Sequence, residues 1–433
     1  MKIYNNFNLG IGNSFIMMKK NKKILTILLL SIIPCGLAQG ITIIAIPWYF
    51  TENLNNSSMF SLWYGVLTFI GLFWGLYAGV MIDKINRKKI LLYINTISSF
   101  IFVTIAASTF FFNTIPPILI FLGFATCSMY YMIFYPNLYA MLQDLVNQKE
   151  YIKINSIVEI QGQLIHITSA LICALLLSGS ALLINYLKID FLEFEKWSIE
   201  DLFFLNSLLY LFTYIILKTI KYETVPSHTI PNLKYTIHEL KTVLNFLIQK
   251  KDVLIYGICS QIIFAFLIVE MFTLLPLFVK NCLNETVVVF SFADFIYGLG
   301  AIIAGFITIK ILKIIQKINF TILLIIMTGY AVFIMVNFHT IHIFFLSTLI
   351  IGVTNASARI TRISYLFNVI PNSMIGRSNT IFNAINTFIR NILILIFSLS
   401  YFSDGNHVVI GYKIGIFVLI IFVIPLFFVK QIR

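Results

Sequence analysis

Five ionisable side chains stand inside otherwise apolar stretches of this sequence: Glu159, His166, Glu270, Asp294 and Arg390. A charge in hydrocarbon is costly, so such residues pair, line water, or carry ions and protons. Glu159, Gln163 and His166 stand at i, i+4 and i+7, on one face of a helix. At 1.5 Å of rise per residue, His166, Asp294 and Arg390 fall roughly 12–18 Å from a surface, near the middle of a core about 30 Å thick. Glu270 falls nearer the outside and Glu159 nearer the cytoplasm. The proton affinity of a carboxyl drops beside a guanidinium and rises in apolar surroundings. A moving Arg390 could therefore switch proton uptake at Asp294 or Glu270. The plainer alternatives are a static Asp294–Arg390 ion pair between helices and an ordinary interfacial Glu159.

The elements that must position these groups are membrane helices. The chain is 59% hydrophobic and only 11% charged, against about 25% charged in soluble domains. Twelve apolar segments are expected at 26–50, 60–82, 90–112, 115–139, 155–184, 201–217, 253–279, 286–309, 320–338, 341–364, 378–402 and 408–429, so the fold class is an all-α membrane protein. All of the 30 Lys and Arg residues except Lys188, Lys196, Lys280, Lys413 and Arg390 lie in or beside alternate connections. The rule that cytoplasmic loops are positive then places both termini in the cytoplasm. The longest connection, 218–252, divides the chain into a 26–217 bundle and a 253–433 bundle, with 1–25 as a cytoplasmic lead. "GLYAGVMIDKI" (75–85) after the second segment and "GAIIAGFITIKI" (300–311) after the eighth support two related six-helix halves.

Several function classes drop out. No nucleophile elbow, Walker loop or paired metal-ligand spacing is present, so neither an enzyme nor a metal or cofactor site is expected. The five cysteines are scattered singly through apolar segments and read as small buried hydrophobes. The net charge of +13 sits in loops and orients the chain, so no nucleic-acid partner is implied. The apolar run after "MKKNKK" reaches Phe50, too long for a secretory leader. The polar residues 1–18 before it carry no pattern and are expected to lack order. Aromatic stretches such as "SMYYMIFYPNLY" (128–139) and "IPWYF" (46–50) suit packing and interfacial anchoring, with a cavity wall as the sharper reading. Pro34, Pro47, Pro136 and Pro276 are expected to shape helices.

The stretch "GVMIDKINRKKI" (79–90) puts Gly79, Asp83, Lys84, Arg87, Lys88 and Lys89 between two apolar runs. Orientation explains the bases but not Asp83. This spacing resembles the loop 2–3 motif of the major facilitator superfamily. "GITIIAIPWYF" (40–50), "YPNLYAMLQDLVNQKEYIKINS" (135–156) and "IPNSMIGRSNTIFNAINT" (370–387), with its Gly376–Arg377 pair, look like the macrolide-efflux-like branch of bacterial drug exporters. Asn86 replaces the motif's second glycine, a change that still tolerates a left-handed turn. The helix 5 glycine–proline motif of many antiporters is missing from "HITSALICALLLSG" (166–179).

The resemblance, which covers about residues 18–430, implies two pseudo-symmetric six-helix bundles, a central cavity and alternating access. Asp83 would then meet the segment near Gly376–Asn379, and Arg87 and its neighbours would bind acids or the membrane surface. The expected protein is a monomeric multi-pass transporter of the bacterial inner (plasma) membrane, exporting an amphipathic small organic molecule in exchange for protons. A siderophore or metabolite permease is the nearest alternative. A non-transporting receptor or assembly partner is an alternative of another class, and a flippase-like carrier a weaker one.

Overall fold

The computed structural model describes residues 2–112, 114–146, 150–180, 194–222, 233–371 and 374–429. Within them, the side chains of 2–22, 76–77, 79–80, 83–84, 143, 151–153, 155–156 and 233–239 are not described. The described residues are helical, with no strand. In chain order the helices are α1 (Lys2–Glu52), α2 (Ser57–Lys84), α3 (Arg87–Ala107), α4 (Pro117–Leu145), α5 (Tyr151–Ser178), α6 (Ile199–Lys218), α7 (Leu233–Gln249), α8 (Lys251–Cys259), α9 (Ile262–Thr273), α10 (Leu275–Asn281), α11 (Val287–Ile311), α12 (Lys317–Asn337), α13 (Ile341–Val369), α14 (Ile375–Phe397) and α15 (Val408–Val423). Twelve stretches are long and apolar enough to cross a membrane, one for each expected segment.

Three local features differ from expectation, and a fourth sets where α6 begins. First, α1 begins at Lys2, so the lead expected to lack order is helical. Second, the long connection contains α7, whose Val243 and Leu247 are buried on one face. Third, the seventh segment is three helices: the chain leaves the helix at Ser260–Gln261, and α10 begins anew at Leu275 with Pro276 in its first turn. Proline suits that position because a first-turn N–H has no intrahelical acceptor. Fourth, α6 starts earlier than the apolar run. Ser198 and Asp201 form a reciprocal capping box, with Ser198 N donating to Asp201 Oδ2 at 2.8 Å and Asp201 N to Ser198 Oγ at 3.3 Å.

The chain resolves into two compact units that cut across helices. Unit 1 holds Met1–Ile43, Trp74–Ser169 and Ser198–Ile230; unit 2 holds Ile44–Phe73, Ala170–Trp197 and Pro231–Arg433. In unit 1, α3 packs along α6 through small polar residues, with Ser99 and Ser207 hydroxyls 3.1 Å apart. The Phe102 and Tyr210 rings stack at 5.7 Å beside them. Tyr130 donates to Asn95 Oδ1 at 3.1 Å, and Asn206 Nδ2 to Thr42 Oγ1 at 2.7 Å. In unit 2, α13 lies against both α11 and α12. Thr308 donates to Ser357 and Thr328 to Thr354, each at 2.8 Å. Small residues let the backbones approach where lipid tails give helices no hydrophobic reason to associate.

α11 and α13 meet backbone to backbone. A Cβ on Gly300 would stand 2.4 Å from Leu349 O, and one on Gly352 2.2 Å from Tyr297 O. Both obstacles are backbone and cannot swing aside. Gly300→Ala or Gly352→Ala must therefore push the helices apart, at about 1–3 kcal/mol as for other overpacked sites. A clearly lower melting temperature in detergent is expected for each. Gly305→Ala, where a Cβ meets nothing within 4 Å, should melt as the native protein does. Equal melting of all three would refute the close crossing.

Candidate functional site

The charged turn between α2 and α3 is built around Asn86. Its φ of −53° and ψ of 119° are not left-handed, and its side chain caps α3 by accepting from Lys89 N at 3.2 Å. Asparagine thus serves here as a helix N-cap rather than as a glycine substitute. Arg87 then donates to Ala140 O at 2.8 Å and forms an ion pair with Asp144, both on α4. Asn137 Nδ2 donates to Arg87 O at 2.8 Å. Lys88 Nζ reaches the end of α6, donating to Ile220 O at 2.6 Å and Lys218 O at 3.1 Å. Tyr222 donates to the same Asp144 carboxylate. Burial, and then that hydrogen bond, push the Tyr222 phenol up to about 12. The stabilising form is the protonated one, so its contribution is full below the ordinary phenol value and is lost only as pH climbs through about 12. The side chains of Gly79, Asp83 and Lys84 lie outside the described residues. Lys89 is exposed, as is Gly376 in the first turn of α14, and Arg377 beside it is partly buried.

The carboxylates of unit 2 form a second cluster. Glu270 on α9 is 8% exposed and accepts a 2.6 Å hydrogen bond from the fully buried Tyr412 hydroxyl of α15. Asp294 on α11 is 9% exposed. Both acids lie within electrostatic reach of the Tyr297 hydroxyl, which takes a hydrogen bond from Asn355 of α13. Tyr412, Tyr297 and Asn355 are polar residues that sequence reasoning passed over. Tyrosine is abundant here, and only its partner marks a particular one. Arg390 on α14 donates through Nη2 to Thr387 Oγ1 at 2.9 Å, and its guanidinium carbon lies 5.9 Å from the Phe264 ring centroid. No ion pair joins Arg390 to Glu270. His166 and Glu159 belong to unit 1, the first half-buried and the second exposed near Tyr135.

A third feature was noted from sequence only as one of the few bases outside the alternate basic connections. Lys280, at the end of α10, donates to Thr51 O at 2.8 Å and to Asn55 Oδ1, and lies 3.4 Å from Glu52 Oε2. Within unit 2 it therefore closes the C-terminus of α1, where a cation meets the negative end of the helix dipole. Close by, the Ser58 and Ser403 hydroxyls are 3.1 Å apart. The available signal was a lone lysine on the side with few bases. Among the described residues no group of three or more His, Cys, Asp or Glu side chains is placed to hold a metal ion.

A family model described as Major Facilitator Superfamily matches residues 28–394. No curated protein matches the chain. Among solved structures, a variant of the nucleoside transporter NupG is similar at 14% identity and TM-score 0.72, covering 94% of this chain and 100% of its own. A bacterial homologue of the iron transporter ferroportin, in an inward-facing state, is similar at 13% identity and TM-score 0.66, covering 93% of this chain and 98% of its own. A bacterial homologue of the human lysosomal transporter Spinster, inward-facing and unoccupied, is similar at 14% identity and TM-score 0.62, covering 94% and 95% respectively. At these identities the likeness is one of fold.

The Arg87–Asp144 pair gives a direct test of the turn. Arg87→Ala and Asp144→Ala should each cost about 1–3 kcal/mol of thermal stability, as for hydrogen bonds to charged groups. The double variant should lose little more than the worse single one, because one interaction is removed twice. Fully additive losses would show that the two side chains act independently.

Proposed function

The chain belongs to the major facilitator superfamily and is a membrane transporter, and from that premise we propose that it exports an amphipathic small organic molecule in exchange for protons. The observation that carries the coupling is the buried Glu270–Tyr412 pair. Among the described residues no cation pairs with Glu270. Gaining or losing one proton there changes the charge of a dry site held only by a phenol. The balance between conformations then becomes sensitive to protonation, which is what a gradient needs in order to act. Asp294, near the same Tyr297, is the second coupling candidate, and His166 and Glu159 remain candidates in unit 1.

Both termini lie in the cytoplasm on this reading, the membrane is the bacterial inner membrane, and the macrolide-efflux-like branch is the nearest grouping. The loop bases and the motif residues Gly79, Asp83, Lys84, Arg87, Lys88 and Lys89 support it. Arg87 and Lys88 tie the ends of α4 and α6 into one cytoplasmic clamp, and Asp83 of the same motif and the Gly376–Arg377 pair are taken as the gating residues. Lys280 serves as the opposite, outer tie: its bonds to Thr51, Asn55 and Glu52 are made in one state of the cycle and broken in the other. The protein works as a monomer.

Two measurements test the proposal. Purified protein in proteoliposomes under an imposed pH gradient should move amphipathic probes, with proton flux recorded by an internal pH dye. Glu270→Gln should abolish gradient-driven flux while leaving exchange without a gradient. Tyr412→Phe should reduce driven flux roughly tenfold, the worth of one hydrogen bond to a charged group. Undiminished driven flux in Glu270→Gln would refute the assignment of the proton site. Lys280→Gln should raise labelling of a cysteine placed at Ser58, and unchanged labelling would remove the outer tie from the cycle.

A further inference from the structure

α14 carries a polar stripe that proton coupling does not use. Asn379, Asn383, Thr387 and Arg390 follow at i, i+4, i+8 and i+11, on one face of the helix. Asn379 and Asn383 are exposed. Exposed amides on a spanning helix belong against water rather than lipid. At the end of this stripe the Arg390 guanidinium uses Nη2 on Thr387. Its Nε is buried without a hydrogen-bond acceptor, and among the described residues no carboxylate pairs with it. The Phe264 ring lies 5.9 Å from the guanidinium carbon, and Tyr64 is within its electrostatic reach.

The opposing helix is broken beside this stripe. α8 stops at Cys259 and α9 starts at Ile262, leaving Ser260 and Gln261 in the middle of a spanning segment. Asn386, 4% exposed, donates to Gln261 O at 3.2 Å and holds the break against α14. Ser260 Oγ, on a residue 1% exposed, has no hydrogen-bond partner. Irregular backbone at membrane depth is tolerated where it lines a cavity, and transporters place substrate sites at such breaks.

We propose that Arg390, Phe264 and Tyr64, beside the break at Ser260–Gln261, form the subsite for an acidic group and the planar ring next to it, so that the substrate is an anionic amphipath. This rests on the transport reading above and narrows its substrate class. A guanidinium presents a planar fork of N–H donors that fits a carboxylate, sulfonate or phosphate through two parallel bonds. Here the fork has a free N–H and no acid of its own, so an incoming anion supplies the missing countercharge. Phe264 extends the platform for an aromatic ring, and Ser260 adds a hydroxyl at the break. A lipid headgroup offers the same anionic chemistry as a free acid, and the experiment separates the two.

Binding of 2-naphthoate and of its neutral analogue 2-naphthamide is measured at equilibrium on the full chain in phosphatidylcholine nanodiscs. The native protein should bind the acid at least about tenfold more tightly, the effect of one or two charge-assisted hydrogen bonds. Arg390→Gln should abolish the preference, Arg390→Lys should keep part of it, and Phe264→Leu should weaken both probes without altering their ratio. Melting curves of the variants establish that they are folded, and Arg390→Lys carries the test where Arg390→Gln is not. Equal binding of acid and amide, binding of neither, or a preference that survives in folded Arg390→Gln overturns the subsite. Loss of acid binding in nanodiscs that also contain phosphatidylglycerol would assign the site to a lipid headgroup and overturn the substrate class. Glu270→Gln should still bind the acid more tightly than the amide, because the guanidinium is untouched, while the affinity for both probes shifts through the coupling. Blocked flux in Glu270→Gln beside a native protein indifferent to the acid would overturn the subsite alone. Unblocked flux beside an intact preference would overturn the coupling site alone.

Discussion

A polar group inside a bilayer must find its partner within the protein or face water, because lipid tails offer neither donor nor acceptor. Ser99 with Ser207, Asn206 with Thr42, Thr308 with Ser357 and Thr328 with Thr354 each meet that demand across a helix pair. Each pair also fixes where two helices cross, because the hydroxyls reach one another only at short separation. Gly300 and Gly352 take the same logic to its limit, with backbone against backbone. The apolar residues make the chain a membrane protein. These small and polar ones choose which helix lies against which.

The constraint is different at the helix ends, where the last carbonyls have no intrahelical donor. In unit 1 Lys88 donates to carbonyls just beyond and at the end of α6. In unit 2 Lys280 donates to a carbonyl of the last turn of α1. An ammonium suits both places, since it satisfies an oxygen and complements the negative end of the helix dipole. The difference lies in the company. Lys88 belongs to a dense set in which Arg87, Asp144, Tyr222 and Asn137 also take part. Lys280 draws on a smaller set, Thr51 and Glu52 in the last turn of α1 and Asn55 in the turn after it.

Much of this was legible before any coordinates. Twelve apolar runs with bases at alternate turns specify twelve spans, because run length is compared directly with bilayer thickness. The intramembrane charges were legible too, as rare letters in an apolar text. Their partners were not. Nothing along the chain links Glu270 to Tyr412, 142 positions away, or sets Phe264 beside Arg390, and tyrosine and phenylalanine are too common here for any one to stand out. The break at Ser260–Gln261 was hidden for a related reason. An apolar run reports that a segment lies in the membrane, while the turn within it is met by a partner far along the chain, Asn386, which donates to Gln261 O. Asn86 misled because a residue able to adopt a left-handed turn is equally able to cap a helix, and Lys89 N was within its reach.

The separation of Glu270 from Arg390 bears on what each can do. Two such charges joined in one dry ion pair would satisfy each other, and the pair would resist both a proton and a substrate, since breaking it strands a buried charge. Here Glu270 is held by a phenol and Arg390 by a threonine hydroxyl. Each is anchored by a neutral group that fixes its position without cancelling its charge. A carboxylate so held is left able to exchange a proton, and a guanidinium so held is left able to meet an anion. On the proposed reading, placing both charges within unit 2, on the neighbouring helices α9 and α14, lets one region register two ligands without either neutralising the other. That arrangement allows protonation at one group and substrate at the other to bias the same helices, the physical requirement for coupled exchange.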